Sequence, residues 1–139
     1  MRVVGFNFNK MNAERFPGPY EKLSAKTNID ISEIKNVKQG LFKTDEEFVG
    51  VKFSFNLDYE PNVAKIELSG EIVFSMDSNL SEEVIKQWKN KELPEDFKVL
   101  LYNFILKKSN LKAFQFEEEL NLPLHIPLPS VKKEEKKKD

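Results

Sequence analysis

Between Val49 and Tyr59 every odd position is apolar (Val49, Val51, Phe53, Phe55, Leu57, Tyr59), while the even positions read Gly50, Lys52, Ser54, Asn56 and Asp58. Glu60-Pro61-Asn62 interrupts the pattern. From there the apolar set moves to even positions, Ala64, Ile66, Leu68, Gly70, Ile72, Phe74 and Met76, with Lys65, Glu67, Ser69 and Glu71 between them. Successive side chains on a strand point to opposite faces, so alternation of this length predicts two antiparallel strands with one buried face, joined as a hairpin. Two shorter alternations precede it: Val4, Phe6, Phe8, and then Leu23, Ala25, Thr27, Ile29, Ile31. The connection between those two, Arg15-Phe16-Pro17-Gly18-Pro19-Tyr20, contains residues that forbid regular structure and is longer than a tight turn. A simple hairpin is therefore not expected there.

Beyond Met76 the period changes. Ser81 is the expected N-cap of a short helix running to Asn90, with Glu82 and Glu83 in the first turn and Val84, Ile85 and Trp88 as its apolar residues. Pro94-Glu95-Asp96 opens a longer helix carrying Phe97, Leu100, Leu101, Phe104 and Ile105 at helical spacing. Ser109-Asn110 is expected to break or kink it, with Leu111, Phe114 and Leu120 continuing the apolar stripe as far as Leu122. Three prolines in Leu122–Val131 predict an extended segment close to polyproline II. Residues 132–139, KKEEKKKD, are expected to be a disordered charged tail. Strands followed by helices, at a length of 139 residues, predict one α+β domain over residues 1–131.

Composition narrows the function classes. The chain has no cysteine, which excludes disulfides, thiolate catalysis and Cys-based metal sites and fits a reducing cytosol. No apolar run approaches the roughly 18 residues that span a bilayer, and the first eight residues lack the apolar core of a signal peptide, so a cytoplasmic location and no membrane insertion are expected. A net charge of −1 argues against nucleic acid as a partner, because phosphate neutralisation supplies most of that affinity. The tail adds only +2, from five Lys against two Glu and one Asp.

Catalytic chemistry finds little to use. His125 is the single histidine and sits between prolines without a Ser or Asp pattern nearby, so it reads as structural or exposed. Consecutive carboxylates in Glu117-Glu118-Glu119 point about 100° apart on a helix and cannot converge on one cation, so the run reads as a solvated face. The five glycines match no phosphate-binding loop. No catalytic residue, cofactor or metal is expected, and the chain is expected not to be an enzyme.

Apolar residues outside the regular elements are the informative feature. Phe16, Pro17, Pro19 and Tyr20 lie in the long connection, Phe42 and Phe48 fall near strand ends, and Leu124, Ile126, Leu128 and Val131 lie in the proline-rich segment. Individually each reads as a core or interface cap; together they suggest an apolar patch or groove of the kind that marks a partner site.

The element order also resembles a known family. A strand leading into Lys10-Met11-Asn12-Ala13-Glu14-Arg15-Phe16-Pro17, an irregular crossover, a hairpin ending in Glu67-Leu68-Ser69-Gly70-Glu71-Ile72-Val73-Phe74, and a long helix leaving through Leu120-Asn121-Leu122-Pro123-Leu124-His125-Ile126-Pro127-Leu128-Pro129 resemble the SecB-like export chaperones and their toxin–antitoxin relatives. The resemblance spans most of residues 1–131. It implies a four-stranded antiparallel sheet with helices on one side, a dimer or dimer of dimers, and ATP-independent holding of unfolded polypeptide, with protein export as its setting. Carried onto this chain it implies that Phe16, Pro17, Tyr20, Phe42, Leu124, Ile126 and Leu128 bind the client. A non-catalytic adaptor docking one folded protein partner is the alternative. Two departures stand out: a short helix at Ser81–Asn90 where the family has mainly loop, and only a charged tail where the family has a second helix.

Overall fold

The computed structural model describes residues 1–18, 20, 22–37 and 46–134. Four strands, β1 (Arg2–Arg15), β2 (Ser24–Asn36), β3 (Glu47–Glu60) and β4 (Ala64–Met76), are followed by α1 (Ser78–Trp88) and α2 (Glu95–Glu119). The strands form one antiparallel sheet in the order β1-β4-β3-β2, and both helices pack on one side of it, as the family resemblance implies. Because β1 and β2 are the two edges, the chain between them must cross two intervening strands, roughly 14 Å at the usual strand spacing. That distance is why the Phe16–Leu23 connection is long.

The β3–β4 hairpin folds as its alternation dictates. Register places Val49 opposite Phe74, Val51 opposite Ile72, Phe55 opposite Leu68 and Leu57 opposite Ile66, all buried under the helices. At the turn, Val63 N–H donates to the Tyr59 carbonyl at 2.9 Å, and Asn62 takes a left-handed φ of 53°, which asparagine tolerates. Gly70 faces Phe53, and a Cβ there would come within 2.4 Å of the Asn7 carbonyl oxygen, so close approach of β1 requires glycine at this position. The opposite face of the sheet is polar apart from Phe48 and Val73, and carries the pairs Lys10–Glu67 (3.0 Å), Lys65–Glu67 (2.6 Å) and Lys52–Glu33 (3.2 Å).

Four expectations are corrected. In β2, Ala25 and Thr27 are exposed, because an edge strand is covered only where the helices reach it; a register shift after Ile31 then brings Ile34 inward. Helix α1 begins earlier than Ser81: the Asp77 carboxylate accepts the Leu80 N–H at 2.8 Å as N-cap, and Ser81 is buried inside the helix, donating to Asn36 Oδ1 at 2.9 Å. Ser109-Asn110 does not interrupt α2, which runs unbroken for 25 residues, about 37 Å at 1.5 Å per residue. Its small side chain lets Ser109 sit flat against the core. Of the expected stripe beyond it, Leu120 packs on the core and Phe114 is half-buried, but Leu111 is not part of it. Buried positions recur every fourth residue, Phe97, Leu101, Ile105, Ser109, Ala113 and Glu117, while Leu111 is 55% exposed. Each step of four turns about 400°, so the buried line drifts by about 40° per step around the helix.

This drift lets α2 serve two core clusters in turn. Its first half, with α1, packs Phe97, Leu101 and Ile105 against Val51, Phe53, Ile72 and Phe74. Its second half lays Ala113 and Phe116 on Phe55, Leu57, Tyr59, Ile66 and Leu68 at the other end of the sheet.

Candidate functional site

The crossover after β1 and the proline-rich segment after α2 arrive at the same end of the sheet, over the second cluster. Phe16 N–H donates to the Val63 carbonyl at 2.8 Å, which ties the crossover to the β3–β4 turn. The Tyr20 hydroxyl donates to the Phe16 carbonyl, and its ring packs on the same cluster as Leu120 and Leu122. Arg15 at the end of β1 reaches across to α2, where Nη1 donates to the Leu120 and Asn121 carbonyls at 2.8 and 2.7 Å. A cation at unpaired C-terminal carbonyls is favoured by the helix dipole as well as by hydrogen bonding.

The helix ends in a Schellman motif. Asn121 adopts φ 55°, Leu122 N–H donates to the Glu117 carbonyl at 2.8 Å, and Asn121 N–H reaches the Glu118 carbonyl at 3.3 Å. The chain is thereby turned back so that Leu122 is buried while the following residues run along the end of the sheet.

Here the structure departs from the reading of Glu117 as a solvated carboxylate. Glu118 and Glu119 are exposed, but Glu117 is fully buried, because it continues the four-residue cadence that begins at Phe97. Its Oε1 accepts from the Tyr59 hydroxyl at 2.6 Å and from the His125 backbone N–H at 3.1 Å, and it contacts His125 Nδ1. The other ring nitrogen, Nε2, lies 2.9 Å from Asn110 Oδ1. The Phe114 and Phe55 rings flank the imidazole at centroid distances of 5.3 and 6.4 Å. The Tyr59 hydroxyl also lies 2.6 Å from the Pro123 carbonyl. Burial, and then the Glu117 hydrogen bond and charge, push the Tyr59 phenol far above its usual range, so it stays an O–H donor. His125 is thus a structural residue, with its side chain only 2% exposed. The signals that point to this network are the cadence of every fourth residue and one histidine eight positions after a glutamate on it.

Past His125 the segment is open to solvent. Ile126 is 41% exposed, Leu128 55% and Val131 fully exposed. Leu124, Phe16 and Tyr20 are half-buried and Pro17 is exposed. Phe42 lies outside the described residues. Tyr20 and the base of the proline segment therefore come together on one cluster, with Phe16 bonded alongside, while Ile126 and Leu128 project beyond it. Beside Phe16 a cleft of about 370 Å3 is bounded by Asp58, Tyr59, Glu60, Asn62, Ala64 and Lys65, a lining of mixed polarity. Among the described residues no three His, Asp or Glu side chains gather as a metal-binding group, and no helix is long and apolar enough to cross a membrane.

No family model and no curated protein sequence matches the chain. Among solved structures it is similar to the Mycobacterium tuberculosis Rv1957 SecB-like chaperone, determined in complex with a ChAD peptide from the Rv1956 HigA1 antitoxin. The two are 11% identical and superpose with a TM-score of 0.52 over 96% of this chain and 92% of that one. The chain has a SecB-like fold.

Proposed function

We propose that this chain is an ATP-independent chaperone that holds unfolded or non-native polypeptides on the apolar surface formed by the crossover and the proline-rich segment. The observation that carries the reading is the run of exposed aliphatic side chains, Ile126, Leu128 and Val131, on a segment whose base is anchored in the core. Soluble proteins rarely leave such a run open unless a partner uses it. The sheet edge adds a second element: Ser24–Asn28 of β2 are all exposed, and an edge strand offers unpaired backbone to an extended chain. The SecB-like neighbour was solved with a peptide bound, which supports a polypeptide segment as the occupant.

In this reading Phe16, Pro17, Tyr20, Leu124, Ile126 and Leu128, with Phe42, contact the client through apolar area, tolerant of sequence because such contacts are not directional. A dimer or dimer of dimers would place several weak sites on one assembly and raise avidity. The protein would work in the cytoplasm, with export as a natural setting. Aggregation of a chemically denatured client, followed by light scattering, tests the reading. Suppression at stoichiometric amounts is expected, weakened several-fold in an Ile126→Asp/Leu128→Asp double variant. Unchanged scattering with the wild-type chain would overturn it.

A further inference from the structure

An exposed apolar run is an efficient binder only if its position is fixed before the client arrives, and the buried network beneath it is the feature that fixes it. We propose that Glu117 is a positioning residue: together with Tyr59 and Asn110 it clasps His125, so that Leu124, Ile126 and Leu128 leave the core from one set point, pre-arranged for an extended polypeptide. The proposal rests on the chaperone reading for its client, and on the geometry alone for the clasp.

Three elements converge on the clasp. Strand β3 supplies Tyr59, α2 supplies Asn110 and Glu117, and the segment itself supplies His125 and the Pro123 carbonyl. One carboxylate oxygen gathers the Tyr59 hydroxyl, the His125 backbone N–H and His125 Nδ1, so the segment is held through main chain and side chain at once. An apolar contact could not set this geometry, because it permits sliding; directed hydrogen bonds among buried groups select a single arrangement. Carrying a carboxylate with no surface exposure is a poor way to stabilise a helix, since a buried charge gains little over a well-packed aliphatic residue. Its second oxygen has no hydrogen-bond partner among the described residues, as expected of a group retained for where it points. Ordering a free segment at the moment of binding opposes association, whereas one already ordered avoids that loss.

Replacing Glu117 separates position from stability. Glu117→Leu keeps the core filled but removes the Glu117 oxygen that holds the His125 backbone N–H and Nδ1, leaving Asn110 Oδ1 at Nε2, and the two released groups regain water only if the segment lifts; Glu117→Gln keeps the Oε1 acceptor. In Glu117→Leu the thermal midpoint is expected to hold within a few degrees. The His125 amide is expected to exchange at least roughly tenfold faster, and the affinity for a carboxymethylated, permanently unfolded polypeptide to fall about tenfold. Glu117→Gln is expected to restore both. Unchanged exchange at His125 in Glu117→Leu overturns the proposal, and so does faster exchange with full affinity. Should Glu117→Leu lose the native circular dichroism spectrum, Tyr59→Phe, which deletes only the hydroxyl, decides the question on the same two readouts. A wild-type chain that binds no unfolded polypeptide would remove the chaperone reading, while exchange at His125 would still decide whether the clasp fixes the segment.

Discussion

The two halves of α2 lie on one sheet but are held there by different chemistry. From Phe97 to Ile105 the buried line consists of large apolar side chains, with Phe97 meeting Phe74 edge-on at a centroid distance of 5.0 Å. From Ser109 to Glu117 it consists of a serine, an alanine and a glutamate. Each large residue of the first half contributes roughly 1.5–3 kcal/mol by leaving water. In the second half the net worth of each hydrogen bond is about 1 kcal/mol and is offset by the cost of burying a carboxylate. The first half keeps the helix on the sheet. The second half gives up stability for a fixed geometry at the point where the chain leaves the core, which is also where its exposed apolar residues begin.

Substitutions at matched positions sharpen or break this contrast. The largest effect is expected for Phe97→Ala, a loss of about 3–5 kcal/mol in denaturant unfolding, because the aromatic cluster cannot close over the cavity; a loss under about 1 kcal/mol would erase the distinction. Ser109→Ala is expected to act with the opposite sign. The Ser109 hydroxyl is buried with no hydrogen-bond partner among the described residues, so its removal is expected to gain up to about 1 kcal/mol, and a clear loss in the same assay would show that the hydroxyl is satisfied. The smallest effect concerns the outer face behind the second cluster, where hydrogen bonds from Lys65 and Lys10 hold the Glu67 carboxyl down at about 2, against the ordinary 4.5. A folded value below the unfolded one stabilises above the ordinary value and is lost as pH falls toward the folded one. Between pH 4.5 and 2, amides of Ile66–Leu68 are therefore expected to lose protection before those of Ile72–Phe74, and Glu67→Gln to flatten that difference. Solvent around the two lysines keeps the effect under about 1 kcal/mol.

What the sequence disclosed divides along the same line. The β3–β4 hairpin was legible from its long alternation, but which face the helices cover was not, because Phe48 and Val73 break the polar sides of their strands. Phe97, Leu101 and Ile105 were legible from apolar residues at helical spacing. Glu117 was not, because a buried glutamate at the head of an acidic run looks like surface, and its partners Tyr59 and His125 lie 58 and 8 residues away. The start of α1 was missed because Asp77 and Ser81 are both good caps, and only the packing of Ser81 against Asn36 decides between them. That Ile126 and Leu128 lie outside any sheet or helix was legible from the prolines around them, but whether they pack or stay exposed was not; nor was their fixed base, since it depends on contacts between three separate elements.

The grip of Arg15 on the Leu120 and Asn121 carbonyls joins residues 105 and 106 positions apart. A polypeptide emerging from the ribosome offers β1 long before those carbonyls exist, so the guanidinium has no helix end to hold until Asn121 has been made. Closing so wide a loop is slow compared with forming a hairpin, and this places the crossover among the last parts to settle during synthesis. A newborn copy would spend that interval with its own Phe16 and Tyr20 unburied, in the same condition as the chains it is proposed to guard.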